Sequence, residues 1–261
     1  MKILKKIFLA AFIASAVFFG TYFLWFSPRF VVPILMYHRF GYQNNSLSVT
    51  PENFERQLAY LKNNGYRVIS LDELVQGIAQ NKRFGRKTAV ITVDDGWEDN
   101  YIYAYPALKK FGFPATIFLA LDLIGTNPEF LTWEQVKTMQ KDNISFGCHT
   151  RNHTYLPAVK DPDRLKDEID GCKNMLQREL GVPVEWYCYP TGGFTEKVKA
   201  LVRKAGYKGA CTTARGFADL NKDVYELKRV KVTNSDTVKP FSFRAKLSGY
   251  YNLFRRKKAG G

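Results

Sequence analysis

Between Val31 and Thr213, short unbroken apolar runs alternate with longer stretches in which apolar residues recur every three or four positions. Few folds satisfy that alternation. A strand that is apolar throughout is covered on both faces, and a helix-length crossover after each strand lets the next run parallel to it. The pattern predicts an α/β domain with a mainly parallel sheet and helices outside, open or closed into a barrel. Strands are expected at Val31–Tyr37, Tyr66–Ile69, Thr88–Val93, Ala115–Ala120, Ser145–Cys148, Glu185–Tyr189 and Gly209–Thr213. Helices are expected at Pro51–Asn63, Asp72–Gln80, Tyr101–Phe111, Trp133–Lys141, Pro162–Leu180 and Glu196–Ala205. The first of these carries its own start signal. Thr50 suits the N-cap, Pro51 the first helical position, and Phe54, Leu58 and Leu61 share one face. With 46% hydrophobic residues in 261 and no internal repeat, one domain over residues 33–235 has the side chains for a core.

A different signal precedes the domain. Ile7 to Phe26 is a run of 20 residues without a charge. At ~1.5 Å per residue such a helix is about 30 Å long, the thickness of a bilayer's hydrocarbon core. Lys2, Lys5 and Lys6 precede it and Trp25 stands at its far edge, as the positive-inside bias and the interfacial preference of aromatics require. Residues 1–6 are thus expected in the cytoplasm, 7–26 as a transmembrane anchor, 27–32 as a linker, and the domain outside the cytoplasmic membrane. Ala14-Ser15-Ala16 also resembles a signal-cleavage site, which would make the protein secreted. The apolar run continues ten residues beyond Ala16, however, and suits an uncleaved anchor better. That location makes nucleic acid an unexpected partner despite a net charge of +15. Seven basic residues follow Thr237 with no acid among them, interleaved with Phe243, Leu247, Tyr250 and Phe254 at helical spacing. Residues 236–261 read either as a basic aromatic tail for an anionic membrane surface or as a last helix docked on the domain. Cys148, Cys172, Cys188 and Cys211 lack C-x-x-C spacing, and their pairing is open.

In parallel α/β sheets and barrels, ligands bind at the carboxyl ends of the strands. Three strand ends here are unusual. Thr88–Val93 runs into Asp94-Asp95-Gly96, Ser145–Cys148 runs into His149-Thr150-Arg151-Asn152-His153, and the first strand ends in Tyr37-His38. Two adjacent carboxylates after an apolar strand are costly to desolvate unless something holds them. All three histidines of the chain fall at these ends. Two imidazoles and a carboxylate with an open position form a common catalytic zinc set, and iron, cobalt or nickel would accept the same donors. The second carboxylate would be free to take a proton from water, which points to metal-assisted hydrolysis. A G-x-S-x-G elbow and a phosphate-cradling glycine loop are both lacking.

Thr92-Val93-Asp94-Asp95-Gly96 resembles the T-F-D-D-G motif of the polysaccharide deacetylases (the NodB-homology domain, carbohydrate esterase family 4), and His149-Thr150-Arg151-Asn152-His153 resembles their H-S/T-x-x-H motif. The resemblance implies a deformed (β/α) barrel and metal-dependent removal of N-acetyl groups from sugars. It implies Asp94 as general base and Asp95, His149 and His153 as holders of a divalent metal, zinc foremost. The family's R-x-P-Y/F-G motif reads here Cys188-Tyr189-Pro190-Thr191-Gly192. The Thr191 N–H could then supply an oxyanion donor, but the arginine that orients the base is replaced by Cys188, so another group must do that work. The family's late L-x-H motif is absent. A subgroup acting on exported poly-N-acetylglucosamine has an early Y-H motif instead, which Tyr37-His38 resembles, so His38 is the expected general acid. Tyr37, Trp97, Tyr189 and Pro190 are expected to line the substrate cleft. The leading expectation is a membrane-anchored deacetylase of an N-acetylglucosamine-containing polysaccharide or glycan. The alternatives are a lipid-linked sugar, another amide or ester, or a non-catalytic carbohydrate-binding protein on the same fold.

Overall fold

The computed structural model describes residues 2–26, 30–43, 45–213 and 221–251. The chain divides into two units, residues 1–31 and 32–261. The first is helix α1 (Lys2–Thr21), continued by a π-type turn over Tyr22–Phe26. Its apolar span, Ile3–Trp25, is long enough to cross a membrane and starts earlier than expected because Lys5 and Lys6 are taken into the helix.

In the second unit the main sheet is parallel throughout. Strand β1 (Ile34–Tyr37) lies between β5 (Thr88–Val93) and β11 (Val230–Lys231). The far edge of β5 pairs first with β4 (Arg67–Ile69) and then, nearer its carboxyl end, with β6 (Ala115–Leu119). From β6 the sheet continues through β7 (Ile144–Cys148), β8 (Trp186–Cys188), β9 (Gly209–Thr212) and β10 (Leu227–Lys228). Strands β10 and β11 are separated by Arg229 alone, yet β10 pairs with β9 at one edge and β11 with β1 at the other. The chain thus crosses the seam and leaves a nearly closed barrel, the architecture that the motifs implied. A small parallel pair, β2 (Arg39–Phe40) and β3 (Ser48–Val49), follows β1.

Side chains alternate across these strands, which sets two layers. Leu35, Tyr37, Ala89, Ile91, Val93, Ile117, Leu119, Cys148, Tyr187 and Tyr189 face outward into one core with the helices. Ile34, Met36, Val90, Phe118, Trp186 and Cys188, the residues between them, are buried on the barrel's inner side. Helix α2 (Pro51–Asn63) covers the outer face with Phe54, Leu58 and Leu61, and Thr50 Oγ1 accepts the Asn53 N–H as its N-cap. Helices α3 (Leu71–Ala79), α4 (Tyr105–Phe111), α5 (Trp133–Gln140), α6 (Pro162–Lys166), α7 (Cys172–Leu180) and α8 (Glu196–Lys204) follow in the expected order. Two π-type turns interrupt the expected helices: Asn100–Ala104 precedes α4, and Asp167–Gly171 separates α6 from α7.

The start of the tail is part of the packed unit. Helix α9 (Asn234–Val238) lies against α2 and helix α10 (Pro240–Leu247) against α9, with Phe243 edge-on to Tyr60 of α2 and Phe243 4% and Leu247 0% exposed. Burying two such side chains is worth about 1.5–3 kcal/mol each. Asn53 Nδ2 donates to Asn234 Oδ1 and Gln57 Nε2 to Thr237 Oγ1, fixing the register of the contact. The docked-helix reading therefore describes residues 236–247, while Leu253, Phe254 and the basic cluster from Arg255 to Lys258 lie outside the described residues. All four cysteines are buried free thiols.

Candidate active site

Strand β5 delivers Asp94 to the inner end of the barrel with 2% exposure. Its carboxylate receives two hydrogen bonds from Arg229, Nη1 to Oδ1 and Nη2 to Oδ2, each 2.6 Å long. The guanidinium is fully buried. It also donates to Thr92 Oγ1 at 3.1 Å and to Cys188 Sγ at 3.0 Å, and it lies 5.6 Å from the Phe118 ring centroid. Arg229 was not among the sequence candidates. It enters from the barrel seam, far along the chain from Cys188, yet reaches both the Cys188 thiol and the Asp94 carboxylate. Burial drives the Asp94 carboxyl up, but the Arg229 charge and hydrogen bonds outweigh it and hold the group below the usual carboxylate range.

His38 approaches the other side of this pair, with Nε2 3.8 Å from Asp94 Oδ2. That is an electrostatic contact, too long for a hydrogen bond. Asn100 Nδ2 donates to the His38 carbonyl at 3.0 Å and ties the end of β1 to the turn after β5. Burial lowers the His38 pKa, and the nearby Asp94 and Asp95 charges only partly restore it.

Asp95, His149 and His153 meet with one donor atom each, all within 4.8 Å of one another. His149 Nε2 is 3.4 Å and His153 Nε2 3.6 Å from Asp95 Oδ1. His149 Nδ1 lies 2.8 Å from the Cys188 carbonyl, which can only accept, so in the neutral ring Nδ1 carries the proton and Nε2 presents its lone pair. Asp95 Oδ1 is buried with no hydrogen-bond partner among the described residues. A buried carboxylate oxygen without a hydrogen bond, faced by two imidazole nitrogens, is a donor set that fits a divalent cation. Burial raises the Asp95 pKa, but His149 and the nearby His38 and His153 hold it below the usual range. The His153 side chain is 40% exposed, which leaves this side of the group open.

The backbone here is strained. Asp95 (φ 79°), Thr150 (φ 63°), His153 (φ 54°) and Thr191 (φ 54°) all occupy the left-handed region, at about 1–3 kcal/mol each. Gly96 follows at φ 83°, where a Cβ would come within 2.7 Å of Leu119. The histidine loop is held against its strain by a dense set of bonds. Glu168, 4% exposed, accepts the Arg151 N–H at 2.8 Å and the Thr154 hydroxyl at 2.6 Å. Thr150 Oγ1 accepts the Thr154 N–H at 2.9 Å, and Asp122 accepts Arg151 Nε and Asn152 Nδ2 at 2.7 Å each. Thr191 itself is exposed on the turn after β8, its carbonyl accepting the Thr213 hydroxyl at 2.8 Å.

The expected substrate residues are placed differently. Tyr37 is 1% exposed, packs on Phe40 and Phe54, and donates its hydroxyl to Gln57 Oε1. Tyr189 is fully buried between Tyr187 and Phe194 and donates to the Tyr225 carbonyl, and Pro190 is buried beside it. Both tyrosines adjoin an inward residue, His38 or Cys188, so strand alternation turns them outward into the core. Trp97 is partly exposed but has no free face: Phe130 stacks on one at 4.2 Å and the Arg39 guanidinium covers the other at 4.0 Å. Its Nε1–H donates to Asp95 Oδ2 at 2.9 Å. The rings of Tyr37 and Tyr189 are thus buried in the core, and both faces of Trp97 are occupied.

The sequence pattern of the polysaccharide deacetylase family matches residues 81–210, a span that holds Asp94, Asp95, His149, His153 and Thr191 but neither His38 nor Arg229. The polysaccharide deacetylase homologue YxkH of Bacillus subtilis is 36% identical over 202 residues, covering 77% of this chain and 71% of its own. The poly-β-1,6-N-acetyl-D-glucosamine N-deacetylase of Staphylococcus aureus is 24% identical over 200 residues, 72% of this chain and 68% of its own. Among solved structures, the Streptococcus pyogenes deacetylase PplD, in complex with acetate, superposes with a TM-score of 0.77 at 28% identity, covering 83% of this chain and 98% of that one.

Proposed function

Because the chain belongs to the polysaccharide deacetylase family, whose members hydrolyse carbon–nitrogen bonds, we propose that it removes N-acetyl groups from an N-acetylglucosamine polysaccharide outside the cytoplasmic membrane. The observation that carries this reading is the juxtaposition of Asp95, His149 and His153, which suit a cation, with the buried Asp94–Arg229 pair and His38. The S. aureus relative and the early Tyr37-His38 pair favour poly-β-1,6-N-acetylglucosamine as the polymer.

Asp95, His149 and His153 would hold a divalent ion, zinc by the chemistry of the donors, which when bound would polarise the acetyl carbonyl and make nearby water more acidic. Asp94 is ionised and held by Arg229 in one orientation, ready to take the proton as water adds to the acetyl carbon. The Thr191 N–H donates to the oxyanion that develops on the former carbonyl oxygen. His38, once protonated, gives its proton to the sugar nitrogen as the C–N bond breaks, so that acetate and a free amine leave. Its depressed pKa makes it a stronger acid for that step.

The test is acetate release from N-acetylglucosamine oligomers by the full chain in detergent, stripped of metal and resupplied with zinc or cobalt. Release should depend on the ion. Asp94→Asn should lower turnover by about 10²- to 10⁴-fold with the ion still bound, whereas Asp95→Ala or His149→Ala should lose the ion itself. Near-native turnover in Asp94→Asn would remove the assignment of the base.

A further inference from the structure

We propose that Trp97 is a positioning residue for the cation seat, using its indole N–H to reserve Asp95 Oδ1 as a single metal-facing oxygen. The proposal rests on the metal reading above. A carboxylate offers two oxygens, and a cation that can reach both takes a different geometry from one that reaches a single oxygen. In this site the two oxygens are treated unequally. Oδ2 accepts the Trp97 Nε1–H at 2.9 Å, while Oδ1 is buried, without a hydrogen-bond partner among the described residues, and faces both imidazoles. An indole N–H is a donor only, so it can hold an ionised oxygen but cannot turn into a competing ligand.

The ring is fixed so that this bond stays aimed. Phe130 is stacked on one face at 4.2 Å with planes 26° apart, and Arg39 lies over the other at 4.0 Å. Arg39 is itself held by Asp99, Nε to Oδ2 at 3.0 Å. The segment bearing Phe130 is laced to the aspartate corner by Glu98 N–H to Glu129 O and Leu131 N–H to Gly96 O, both 2.9 Å. Both faces of the indole are therefore occupied, and the polar edge points at Asp95. One oxygen from Asp95 and one nitrogen from each histidine leave the low coordination number that zinc accepts and that calcium or magnesium does not favour.

The experiment compares Trp97→Phe with Phe130→Leu in the full chain. Trp97→Phe keeps an aromatic ring between Arg39 and Phe130 and deletes the N–H, while Phe130→Leu keeps the N–H and deletes the stacking. Zinc dissociation constants come from competition with a chromogenic chelator, and the metal-free melting temperature reports the fold. Trp97→Phe should weaken zinc by about 10- to 100-fold with a metal-free melting temperature near that of the unmodified chain. Phe130→Leu should lower the melting temperature and weaken zinc less. Equal zinc affinity in Trp97→Phe and the unmodified chain overturns this inference and leaves the metal reading standing. Loss of affinity that tracks melting temperature across the two variants assigns Trp97 to packing alone and also overturns it. An unmodified chain that binds no zinc, cobalt or nickel overturns the metal reading, and this inference with it.

Discussion

Asp94 is 2% exposed, and a carboxylate so far from water stays ionised only where a cation faces it. Arg229 supplies that cation through two parallel bonds, so its removal should act on basicity as well as geometry. Burial raises the Asp94 pKa and Arg229 is the largest influence lowering it; without Arg229 only the smaller lowering effects of His149 and His38 oppose burial. The ionised base would then appear at higher pH, and in Arg229→Met the acidic limb of the pH–rate profile should move upward, with turnover down at least ~100-fold. Stability should fall by about 3–5 kcal/mol, the usual cost of leaving one member of a buried ion pair alone. Cys188→Ala keeps the pair, so its acidic limb should stay in place and its turnover within a few-fold. The opposite ranking of the two variants would give the orienting task to the thiol. The legibility of the site follows from the same chemistry. Asp94, Asp95, His38, His149 and His153 could be read from the chain because costly polar groups stand out at the ends of apolar runs. Arg229 could not, as one of 39 basic residues placed between two-residue strands, although its neighbours Leu227, Val230 and Val232 form an apolar setting that was a usable signal. Tyr37 and Tyr189 each neighbour an inward-facing residue, and strand alternation sends such a neighbour's side chain to the other face, which the residue type alone does not reveal.

At the scale of elements, the sequence was clearest where a helix carried its own cap. Helix α2 has the expected bounds because Thr50, Pro51 and the Phe54-Leu58-Leu61 face each specify it locally. Strands β10 and β11 are two residues each and cannot display a period, so closure of the barrel was implied by the motifs but could not be read from the apolar pattern. The π-type turn Asp167–Gly171 adds a residue to a helical turn and so looks like continuous helix in the sequence, yet it carries the Glu168 that braces the histidine loop. For α9 and α10 the apolar spacing was legible and the destination was not. The two helices are tied to each other by Asp236, which is 2% exposed and accepts from Thr233 N–H, Ser242 Oγ and Lys246 Nζ. Burial raises its pKa, but the Lys246 and Ser242 bonds prevail and hold it below the ordinary value of 3.8. A carboxyl with a depressed folded-state pKa contributes stability above its unfolded value and loses it as pH falls through the folded value. Asp236→Asn should thus cost about 2 kcal/mol near neutral pH, and that difference should shrink below about pH 4. Urea unfolding of both proteins at pH 7 and pH 3 checks this, and a cost independent of pH would show that the charge is not what matters.

At the scale of the whole molecule, two features could bring the chain to a membrane, and they differ in how they respond to salt. The apolar span Ile3–Trp25 gains free energy residue by residue on entering hydrocarbon, with Leu, Ile, Phe and Val each worth roughly 0.3–0.6 kcal/mol at a bilayer centre. That gain is indifferent to ionic strength. The basic residues after Thr237 would instead act through surface potential, about 1 kcal/mol per cation, which screening by salt removes. With the start of that segment folded onto α2, fewer of its side chains are available to a lipid surface than the sequence suggests, since Lys246 is bonded to Asp236 and Phe243 is buried. The apolar helix should therefore dominate. The full chain in isolated membranes should remain in the pellet through washes at 1 M salt and at alkaline pH, and detergent should release it. Its measured mass should include Met1 to Ala16, and protease added to the outer surface of spheroplasts should digest the catalytic unit. Release by salt would transfer the attachment to the basic residues. A mass lacking the first sixteen residues, with the enzyme found in the medium, would make Ala14-Ser15-Ala16 a cleavage site and the enzyme a diffusible one. The distinction matters for the proposed substrate, because an anchored deacetylase meets its polymer at the membrane where the chain emerges, whereas a diffusible one meets it after release.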